Sequence, residues 1–396
     1  MARREVWDLF HKEGDNTLYG DSAARGDEMY GDDGKDKLFG LGGSDVLYGG
    51  AGNDMLSGGD GNDFVYGGSG NDTIFIDRGN NTFDGDSGDS DTLDFSAVQV
   101  VEAGLFGGNY SIQDAIVGFK VDLETGQTIA TTLGSDAYTD NFGTNIFTSI
   151  ERYIMTAQAD IMRGDNTADT FEMRGGNDFV EGRGGSDTII GGGGVDTASY
   201  ASSAAGVDVD LTRIEQSGGD AQSDFLFSIE NLKGSVHADR LFGDNGSNLI
   251  EGGAGSDEIA GGGGRDVLRG GSGADAFIFE EITDSRGNFN QRDVIEDFGR
   301  VLTDFLTGRH VPGDKIDLAA IDADQRSGHA GHQEFDFVGN AAFTGAGQVR
   351  VIQAQDAEGR NFSLVQAEVN GDGVADFQVS VFTTNDTLLT ASDFIF

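Results

Sequence analysis

Aspartate recurs every nine residues along three stretches of this 396-residue chain, and this repeat constrains the fold more than any other feature. In most copies glycine stands two positions before the aspartate and a large apolar residue two positions after it, as in Gly52, Asp54 and Leu56. The runs GGAGNDMLS, GGDGNDFVY and GGSGNDTIF all follow G-G-x-G-x-D-x-U-x, where U is a large aliphatic residue. Such regularity predicts an architecture built from one small unit per repeat.

The repeat forms three arrays that share this spacing. The first array carries Asp27, Asp36, Asp45, Asp54, Asp63 and Asp72. The second array carries Asp160, Asp169, Asp178, Asp187 and Asp196. The third array carries Asp239, Asn248, Asp257, Asp266 and Asp275, with one amide in place of a carboxylate.

Each x-U-x triplet is expected to form a very short strand whose middle side chain points inward, while the glycines turn the backbone. Two repeats then complete one turn of a flattened roll, so residues eighteen apart, such as Asp36 and Asp54, stack above one another. We therefore predict an all-β fold: a parallel β-roll, or right-handed β-solenoid, in three arrays with strand-rich inserts and a C-terminal antiparallel β cap.

The composition requires something besides apolar burial to hold such a roll together. The chain has 25 Lys and Arg against 69 Asp and Glu, a net charge of −44, which excludes a nucleic-acid binder and disfavours an anionic membrane surface. Hydrophobic residues make up 37% and glycines number 65, which is lean for a core. With no cysteine there are no disulfides or thiolate metal sites, so carboxylate-bound cations are the remaining candidate.

Calcium is the cation that these ligands predict. Strands about 4.8 Å apart leave room for an ion that bonds oxygen at about 2.3–2.6 Å, and hard oxygen ligands select Ca²⁺ over Zn²⁺ or Cu²⁺. Pairs of repeat residues eighteen apart predict about ten ions, the pair with Asn248 being the weakest. Backbone carbonyls are expected to complete the coordination near Gly34, Gly43, Gly52, Gly61, Gly70, Gly176, Gly185, Gly194, Gly255, Gly264 and Gly273.

Without metal, stacked aspartates about 5 Å apart repel by roughly 0.8 kcal/mol per pair even in a water-like dielectric. We therefore expect the metal-free roll to be largely unfolded, with binding energy acting as folding energy.

Two similar inserts separate the arrays. Ser149, Ile150 and Glu151 of the first correspond to residues 228–230 of the second at an offset of 79. The inserts form either longer coils of the same solenoid or a ledge that contacts a ligand. The predicted organisation is a lead-in at 1–14, arrays at 15–95, 159–200 and 239–280, inserts at 96–158 and 201–238, and a C-terminal segment at 281–396.

The nonapeptide resembles the RTX, or hemolysin-type, calcium-binding repeat. The C-terminal segment, with DVIEDF, GDKIDLAAID, AEVNGDGVADFQVSV and LLTASDFIF, resembles the C-terminal domain of serralysin-type metalloproteases, shared by the calcium-binding modules of alginate epimerases. That resemblance implies an antiparallel cap and an uncleaved signal for type I secretion machinery, which Asp393, Phe394, Ile395 and Phe396 match as an acidic residue followed by three hydrophobic ones.

We accordingly expect a bacterial protein that is secreted, extracellular or attached to the cell surface. The apolar stretch of Met1 to Phe10 is interrupted by Glu5 and Asp8, so it does not predict a cleaved secretory signal. No apolar run reaches the length of about eighteen residues that a membrane-spanning segment needs.

We expect no enzymatic activity, because the chain has no H-E-x-x-H zinc motif, no G-x-S-x-G elbow and no P-loop. A structural, surface-binding or matrix-binding role is the primary prediction. The alternative is a polysaccharide-binding or polysaccharide-modifying protein, similar to an alginate-epimerase module, with its site on the inserts. Tyr200, Arg213 and His237 are the residues there that such a site could use. The expected partners are type I secretion machinery and an extracellular polysaccharide or cell surface.

Overall fold

The computed structural model describes residues 14–22, 25–88, 90–96, 116–132, 140–286, 291–299, 302–303, 310–311, 313–326, 331–384 and 388–396. Nearly all of the predicted lead-in, and parts of the first insert and of the C-terminal segment, lie outside these residues. The chain divides into two compact units, Met1–Asp196 and Thr197–Phe396.

The first unit is built from short strands. They are β1 (Thr17–Tyr19), β2 (Glu28–Tyr30), β3 (Lys37–Phe39), β4 (Val46–Ala51), β5 (Met55–Ser57), β6 (Phe64–Ser69), β7 (Thr73–Phe75), β8 (Thr82–Ser87), β9 (Thr92–Asp94), β10 (Ile116–Asp122), β11 (Gln127–Thr132), β12 (Asp140–Thr144), β13 (Ile146–Thr148), β14 (Arg152–Ile154), β15 (Ile161–Arg163), β16 (Thr170–Glu172), β17 (Phe179–Glu181) and β18 (Thr188–Ile190).

Successive strands of the first array alternate between two parallel sheets, as a roll requires. One sheet has the order β1-β3-β5-β7-β9-β14-β16-β18 and the other the order β13-β8-β6-β4-β2. The register pairs residues eighteen apart, so that Leu38 lies beside Leu56, and Leu56 beside Ile74. These three side chains have no solvent exposure, which confirms the apolar repeat position as the core of the roll.

The turns between strands depend on glycine. Gly52 has a φ of 136°, which L side chains rarely adopt, and a Cβ built there would stand 1.6 Å from the carbonyl oxygen of Gly34. Successive coils therefore approach too closely at this position for any side chain.

The outer face of the second sheet carries a column of stacked tyrosines. The rings of Tyr30 and Tyr48 have centroids 4.9 Å apart, and those of Tyr48 and Tyr66 are 5.1 Å apart, with interplanar angles of 11° and 7°. The eighteen-residue period therefore aligns outward side chains as well as inward ones.

The first insert returns to the roll before the second array begins. Strand β13 pairs in parallel with β8, and β14 pairs in parallel with both β9 and β16. Its earlier part forms the antiparallel strands β10, β11 and β12, and β10 also pairs with β15 in a third sheet, β12-β11-β10-β15-β17. This arrangement favours the interpretation of the insert as extended coils of the same solenoid.

The second unit contains the remaining strands. They are β19 (Thr197–Ser199), β20 (Asp208–Asp210), β21 (Phe225–Phe227), β22 (Asn231–Lys233), β23 (Arg240–Phe242), β24 (Leu249–Gly255), β25 (Glu258–Ala260), β26 (Val267–Gly273), β27 (Ala276–Ile278), β28 (Asp293–Phe298), β29 (Leu302–Thr303), β30 (His310–Val311), β31 (Lys315–Asp317), β32 (Asp336–Phe337), β33 (Gln348–Gln355), β34 (Asn361–Glu368), β35 (Phe377–Thr383) and β36 (Phe394–Ile395). Short 3-10 helices lie at Gly219–Ala221 and Ala391–Asp393.

Two sheets of the second unit again face each other across a core. Their orders are β19-β22-β24-β26-β28-β35-β34-β33-β32 and β20-β23-β25-β27-β31-β36, and β29 pairs with β30 alone. Strands β28 and β31 extend the roll beyond the third array by pairing in parallel with β26 and β27. Strands β33, β34 and β35 then pair antiparallel, which confirms the predicted cap. The described residues contain no helix that is both apolar enough and long enough to span a membrane.

Candidate metal sites

Each repeat aspartate stands immediately before a short strand, and in most repeats a backbone N–H of the preceding coil fixes one of its two carboxylate oxygens. The backbone N–H of Asp36 donates to Oδ1 of Asp54 at 2.8 Å, and that of Asp54 donates to Oδ1 of Asp72 at 2.8 Å. On the opposite edge, the N–H of Asp45 donates to Oδ1 of Asp63 at 2.8 Å. The aspartates of the first array therefore form two hydrogen-bonded rows, one along each edge of the roll.

The second carboxylate oxygen of most row members is buried without a hydrogen-bond partner. In the described part of the chain this holds for one oxygen each of Asp36, Asp45, Asp54, Asp63, Asp72, Asp91, Asp169, Asp178, Asp257, Asp266, Asp275 and Asp293. A buried carboxylate oxygen that lacks a partner destabilises a fold strongly. A row of such oxygens is the arrangement that bound cations stabilise.

Backbone carbonyls lie beside these unpartnered oxygens. A Cβ built on Gly49 would stand 2.3 Å from the carbonyl oxygen of Gly67 and 2.5 Å from Oδ2 of Asp54. A Cβ on Gly67 would likewise stand 2.4 Å from Oδ2 of Asp72. The missing side chain leaves a small space lined by a carboxylate and a carbonyl oxygen, both hard ligands of the kind that Ca²⁺ takes.

The third array repeats this geometry. The N–H of Asp257 donates to Oδ1 of Asp275 at 3.0 Å. A Cβ on Gly252 would stand 2.5 Å from Oδ2 of Asp257 and 2.7 Å from the carbonyl oxygen of Gly270. Across the described ranges, no three His, Cys, Asp or Glu side chains converge in a way that could hold a metal ion. A cation on the roll therefore needs backbone oxygens together with its carboxylates.

Burial shifts the titration of these aspartates. Desolvation raises the pKa of Asp54 to about 6 and the pKa values of Asp63, Asp72 and Asp266 to about 7, although the N–H bond from the preceding coil acts in the opposite direction. Asp293 shows the same effect with a pKa of about 8. The roll thus holds carboxylates that are costly to ionise without a counter-ion.

The first predicted ligands of the second and third arrays differ from the others. In Asp160, Oδ1 accepts from the N–H of Phe119 at 2.5 Å, and Oδ2 accepts from the N–H and the hydroxyl of Thr156, each at 2.9 Å. In Asp239, Val207 and Ser235 provide the equivalent donors, at 2.8 and 2.6 Å. The protein itself satisfies both oxygens of these two carboxylates.

Asn248 keeps the register of its row as an amide. Its N–H donates to Oδ1 of Asp266 at 2.8 Å, while its side-chain Nδ2 donates to the carbonyl of Glu230 at 2.6 Å. The amide therefore keeps the bond to the next coil, but toward the preceding coil its side chain donates where a repeat aspartate accepts.

The glycines predicted to supply carbonyls lie in the same turns as the unpartnered oxygens, but another glycine is closer to Oδ2. A Cβ on Gly61 would meet the carbonyl oxygen of Gly43 at 1.4 Å and Oδ1 of Asp63 at 3.2 Å. A Cβ on Gly58, the first glycine of the same repeat, would meet Oδ2 of Asp63 at 2.3 Å. The first position of the G-G-x-G-x-D pattern is the sequence signal for this second set of glycines.

Sequence reasoning missed several members of the rows. The N–H of Asp72 donates to Oδ1 of Asp91 at 2.7 Å, and that of Asp63 donates to Oδ1 of Asn81 at 2.9 Å. In the second unit, Asp293 accepts from Asp266 at 2.9 Å, and Asp314 accepts from Asp275 at 3.0 Å. The triplets DTL, NTF, DVI and DKI, which repeat the D-x-U pattern with one amide variant, are the signal that could have found them.

The three residues that a polysaccharide site in the second insert could use all have structural contacts. The backbone N–H of His237 donates to the hydroxyl oxygen of Ser235 at 3.0 Å. Tyr200 is 1% exposed, and its hydroxyl donates to Oδ2 of Asp224 at 3.2 Å. Arg213 forms an ion pair with Asp208 at 2.6 Å. Tyr200 therefore lies in the interior, and Arg213 is held against Asp208 of β20.

A family model agrees with this geometry. The family model described as the RTX calcium-binding nonapeptide repeat (4 copies) matches residues 23–56, 30–65, 40–74, 57–91, 163–198 and 234–277. No curated protein matches the chain significantly. Among solved structures, the solution structure of the AlgE6R3 subunit from the Azotobacter vinelandii mannuronan C5-epimerase is similar at 24% identity and a TM-score of 0.28, over 42% of this chain and 77% of that one. The matched segments of the three arrays are therefore hemolysin-type RTX calcium-binding repeats, folded as a β-roll.

Proposed function

We propose that this protein leaves a bacterial cell unfolded through type I secretion machinery, folds on extracellular calcium, and acts outside the cell as a structural, surface-binding or matrix-binding protein. The observation that carries the proposal is the set of buried carboxylate oxygens without hydrogen-bond partners along the rows. These oxygens make the folded state dependent on a bound cation. The protein then folds in the compartment where that cation is abundant.

The electrostatics of the chain support folding outside the cell. A net charge of −44 opposes compaction, and dications bound to the rows reduce it. We propose about ten such ions, one for each pair of stacked repeat residues. Extracellular calcium modules bind in the range of about 10⁻⁴–10⁻³ M, far above cytosolic calcium. Because binding and folding are coupled, the roll would form only after export.

The C-terminal residues support the export step. In the folded protein Phe394 pairs with Ile316 of β31, and Asp393 is buried with its carboxylate accepting from the N–H of Thr390 at 2.7 Å. The same residues resemble the secretion signal of serralysin-type proteins. We propose that secretion machinery reads the last four residues in the calcium-free chain and that folding then buries Asp393 and Phe394.

We also propose that the protein has no enzymatic activity. The motifs of zinc proteases, serine hydrolases and P-loop enzymes are absent from the sequence. Of Tyr200, Arg213 and His237, the residues that a polysaccharide-modifying site could use, Tyr200 is buried and Arg213 is paired with Asp208, which supports this part of the proposal. A polysaccharide or a cell surface is the proposed binding partner.

The first test is a calcium titration of the full chain followed by far-ultraviolet circular dichroism and size-exclusion chromatography, with Mg²⁺ as the matched control. We expect an expanded chain with little β signal in chelator and in Mg²⁺, and a compact β protein in millimolar Ca²⁺. A complete β signal in chelator would contradict calcium-coupled folding.

The second test separates binding from catalysis. A glycan array with and without Ca²⁺ reports polysaccharide binding, and product analysis on alginate and other uronates reports chemistry. Binding without product formation supports the proposal. Shortening or epimerisation of a polymer at enzyme-like rates would show that the non-enzymatic role is wrong.

A further inference from the structure

Glu151 stands where the first insert returns to the roll, in a position that aspartate holds in the neighbouring coils. It immediately precedes β14, whose Arg152 pairs with Thr92 of β9 and with Thr170 of β16. The residues before those two threonines are Asp91 and Asp169. Glu151 is therefore the member of the row that lies between the last aspartate of the first array and an aspartate of the second.

Glu151 accepts the hydrogen bond of the row as a repeat aspartate does, although its own N–H donates to the carbonyl oxygen of Asp91 at 3.2 Å and not to Asp169. The N–H of Asp91 donates to Oε2 of Glu151 at 2.8 Å, as the N–H of Asp72 donates to Oδ1 of Asp91 at 2.7 Å. Asp91 has no solvent exposure, and its Oδ2 is buried without a partner. The row thus continues across sixty residues of sequence with one carboxylate oxygen left unsatisfied at the junction.

The space beside that oxygen has the same lining as in the repeats. A Cβ on Gly85 would stand 2.5 Å from Oδ2 of Asp91 and 2.0 Å from the carbonyl oxygen of Ser149. At Gly49 the corresponding neighbours are Oδ2 of Asp54 and a glycine carbonyl. Ser149 adopts a φ of 52°, a left-handed conformation that is uncommon outside glycine. Its carbonyl takes the place that a glycine carbonyl has in the regular coils.

The other neighbour in the row is also unsatisfied. Oδ1 of Asp169 is buried without a hydrogen-bond partner. Asp91 and Asp169 thus flank Glu151 in the row as two further carboxylates.

On the opposite edge of the roll the row crosses the same insert through amides, and the carboxylate of Asp77 accepts from Nδ2 of Asn81 at 3.0 Å. There the N–H of Asp63 donates to Asn81, and the N–H of Asn81 donates to Oδ1 of Asn145 at 2.9 Å. Amides thus complete this row, while carboxylates complete the row of Glu151. The contrast shows that hydrogen bonding alone does not require a carboxylate at the junction.

We propose that Glu151 is a calcium ligand, and that an ion held by Asp91, Glu151 and the carbonyl of Ser149 fastens the end of the first insert to the roll. The nonapeptide pattern does not reach this site, because Glu151 belongs to the insert. The proposal rests on calcium binding by the repeats and is independent of the proposed export and extracellular role. It makes the attachment of the insert dependent on calcium.

The test compares the number of ions bound by the full chain in native mass spectrometry at saturating calcium. The variant Glu151→Gln keeps an oxygen for the N–H of Asp91 and removes the charge. The matched control is Glu124→Gln, which removes the same charge from the same insert at a side chain that is 70% exposed and paired with Arg183. We expect one ion fewer in E151Q and the wild-type number in E124Q.

Hydrogen exchange in calcium gives a second readout. We expect E151Q to lose protection at residues 150–156 while the peptides of β5 and β7 keep theirs. An unchanged ion count in E151Q would overturn the proposal, and so would a collapse of the whole fold, because one ion among several does not support every coil. If the wild-type chain itself bound no calcium, the calcium-dependent function would fail and not only this site.

Discussion

The backbone N–H of Asp54 donates to Oδ1 of Asp72 at 2.8 Å and leaves Oδ2 of Asp72 buried without a partner. One side chain therefore has two roles, since Oδ1 fixes the register between coils and Oδ2 is available to a cation. These roles can be separated experimentally, because an amide retains the first and weakens the second.

Asp72→Asn should have opposite effects with and without calcium. In chelator the variant should be more folded than the wild type, because it removes a buried charge whose pKa burial raises to about 7. In calcium it should bind fewer ions and unfold at a lower temperature, because a neutral amide replaces a carboxylate ligand. Circular dichroism and native mass spectrometry in both conditions measure these changes.

The control for this variant is Asp356→Asn, which alters an exposed ion pair with Arg360 at 2.6 Å. Exposed pairs contribute at most about 1 kcal/mol, so ion count and calcium response should stay at wild-type values. Equal behaviour of the two variants would refute the assignment of Asp72 as a ligand.

The calcium-free protein should become more stable on acidification. The pKa values of Asp63 and Asp72 are about 7 in the folded state against an ordinary 3.8. At a pH between 3.8 and about 7 the folded chain therefore binds more protons than the unfolded chain. Stability is therefore highest in the acidic part of this interval and falls as the pH rises toward 7. Far-ultraviolet spectra of metal-free protein from pH 5.5 to 8.5 should show β signal decreasing with pH.

Calcium should reverse this trend, because the ion competes with protons for the same oxygens. The calcium concentration at half-folding should fall as the pH rises across the same range. Parallel pH profiles with and without calcium would show that these carboxylates are not the binding groups.

Leu56→Ala tests the core of the roll rather than its rows. Leu56 has no solvent exposure and lies between Leu38 and Ile74 in successive coils. The substitution should reduce the free energy of unfolding by about 2–5 kcal/mol in saturating calcium. The control Thr73→Ala, at the half-buried position beside Ile74, should change it by about 0.5 kcal/mol or less. Similar losses in both variants would mean that the inward column does not form the core.

Gly49→Ala should reduce calcium binding by filling the space beside Oδ2 of Asp54. A Cβ there would stand 2.3 Å from the carbonyl oxygen of Gly67, so the alanine displaces both candidate ligands. Calorimetric titration should show weaker binding and fewer ions than in the wild type. The control is Gly345→Ala, where no described atom lies within 4 Å of the new Cβ. Wild-type binding by G49A would exclude this space as part of a site.

The regular repeats were predictable from sequence because their spacing is local. A period of nine residues identified the stacked pair Asp36 and Asp54 and the buried column of Leu38 and Leu56, and the structure has both. In each repeat the aspartate immediately precedes a strand and the apolar side chain points into the core. The period alone therefore determines which side chains stack.

The junctions were not predictable in the same way, because an insertion removes the spacing while strand pairing preserves the register. Asp91 lies nineteen residues after Asp72, and Glu151 lies sixty residues after Asp91, yet each accepts from the preceding member of its row. Thr156 and Ser235 were also missed. Each lies four positions before an aspartate, Asp160 or Asp239, and its hydroxyl donates to that carboxylate. This spacing alone does not predict the contact.

The column of Tyr30, Tyr48 and Tyr66 gives the first unit an optical signature of its own. Seven of the eight tyrosines lie within Met1–Asp196, and the single tryptophan is Trp7. Near-ultraviolet dichroism therefore reports almost entirely on that half of the chain, where stacked rings held 5 Å apart couple their transitions. The chain thus carries an intrinsic spectroscopic probe that distinguishes assembly of one unit from assembly of the other without any added label.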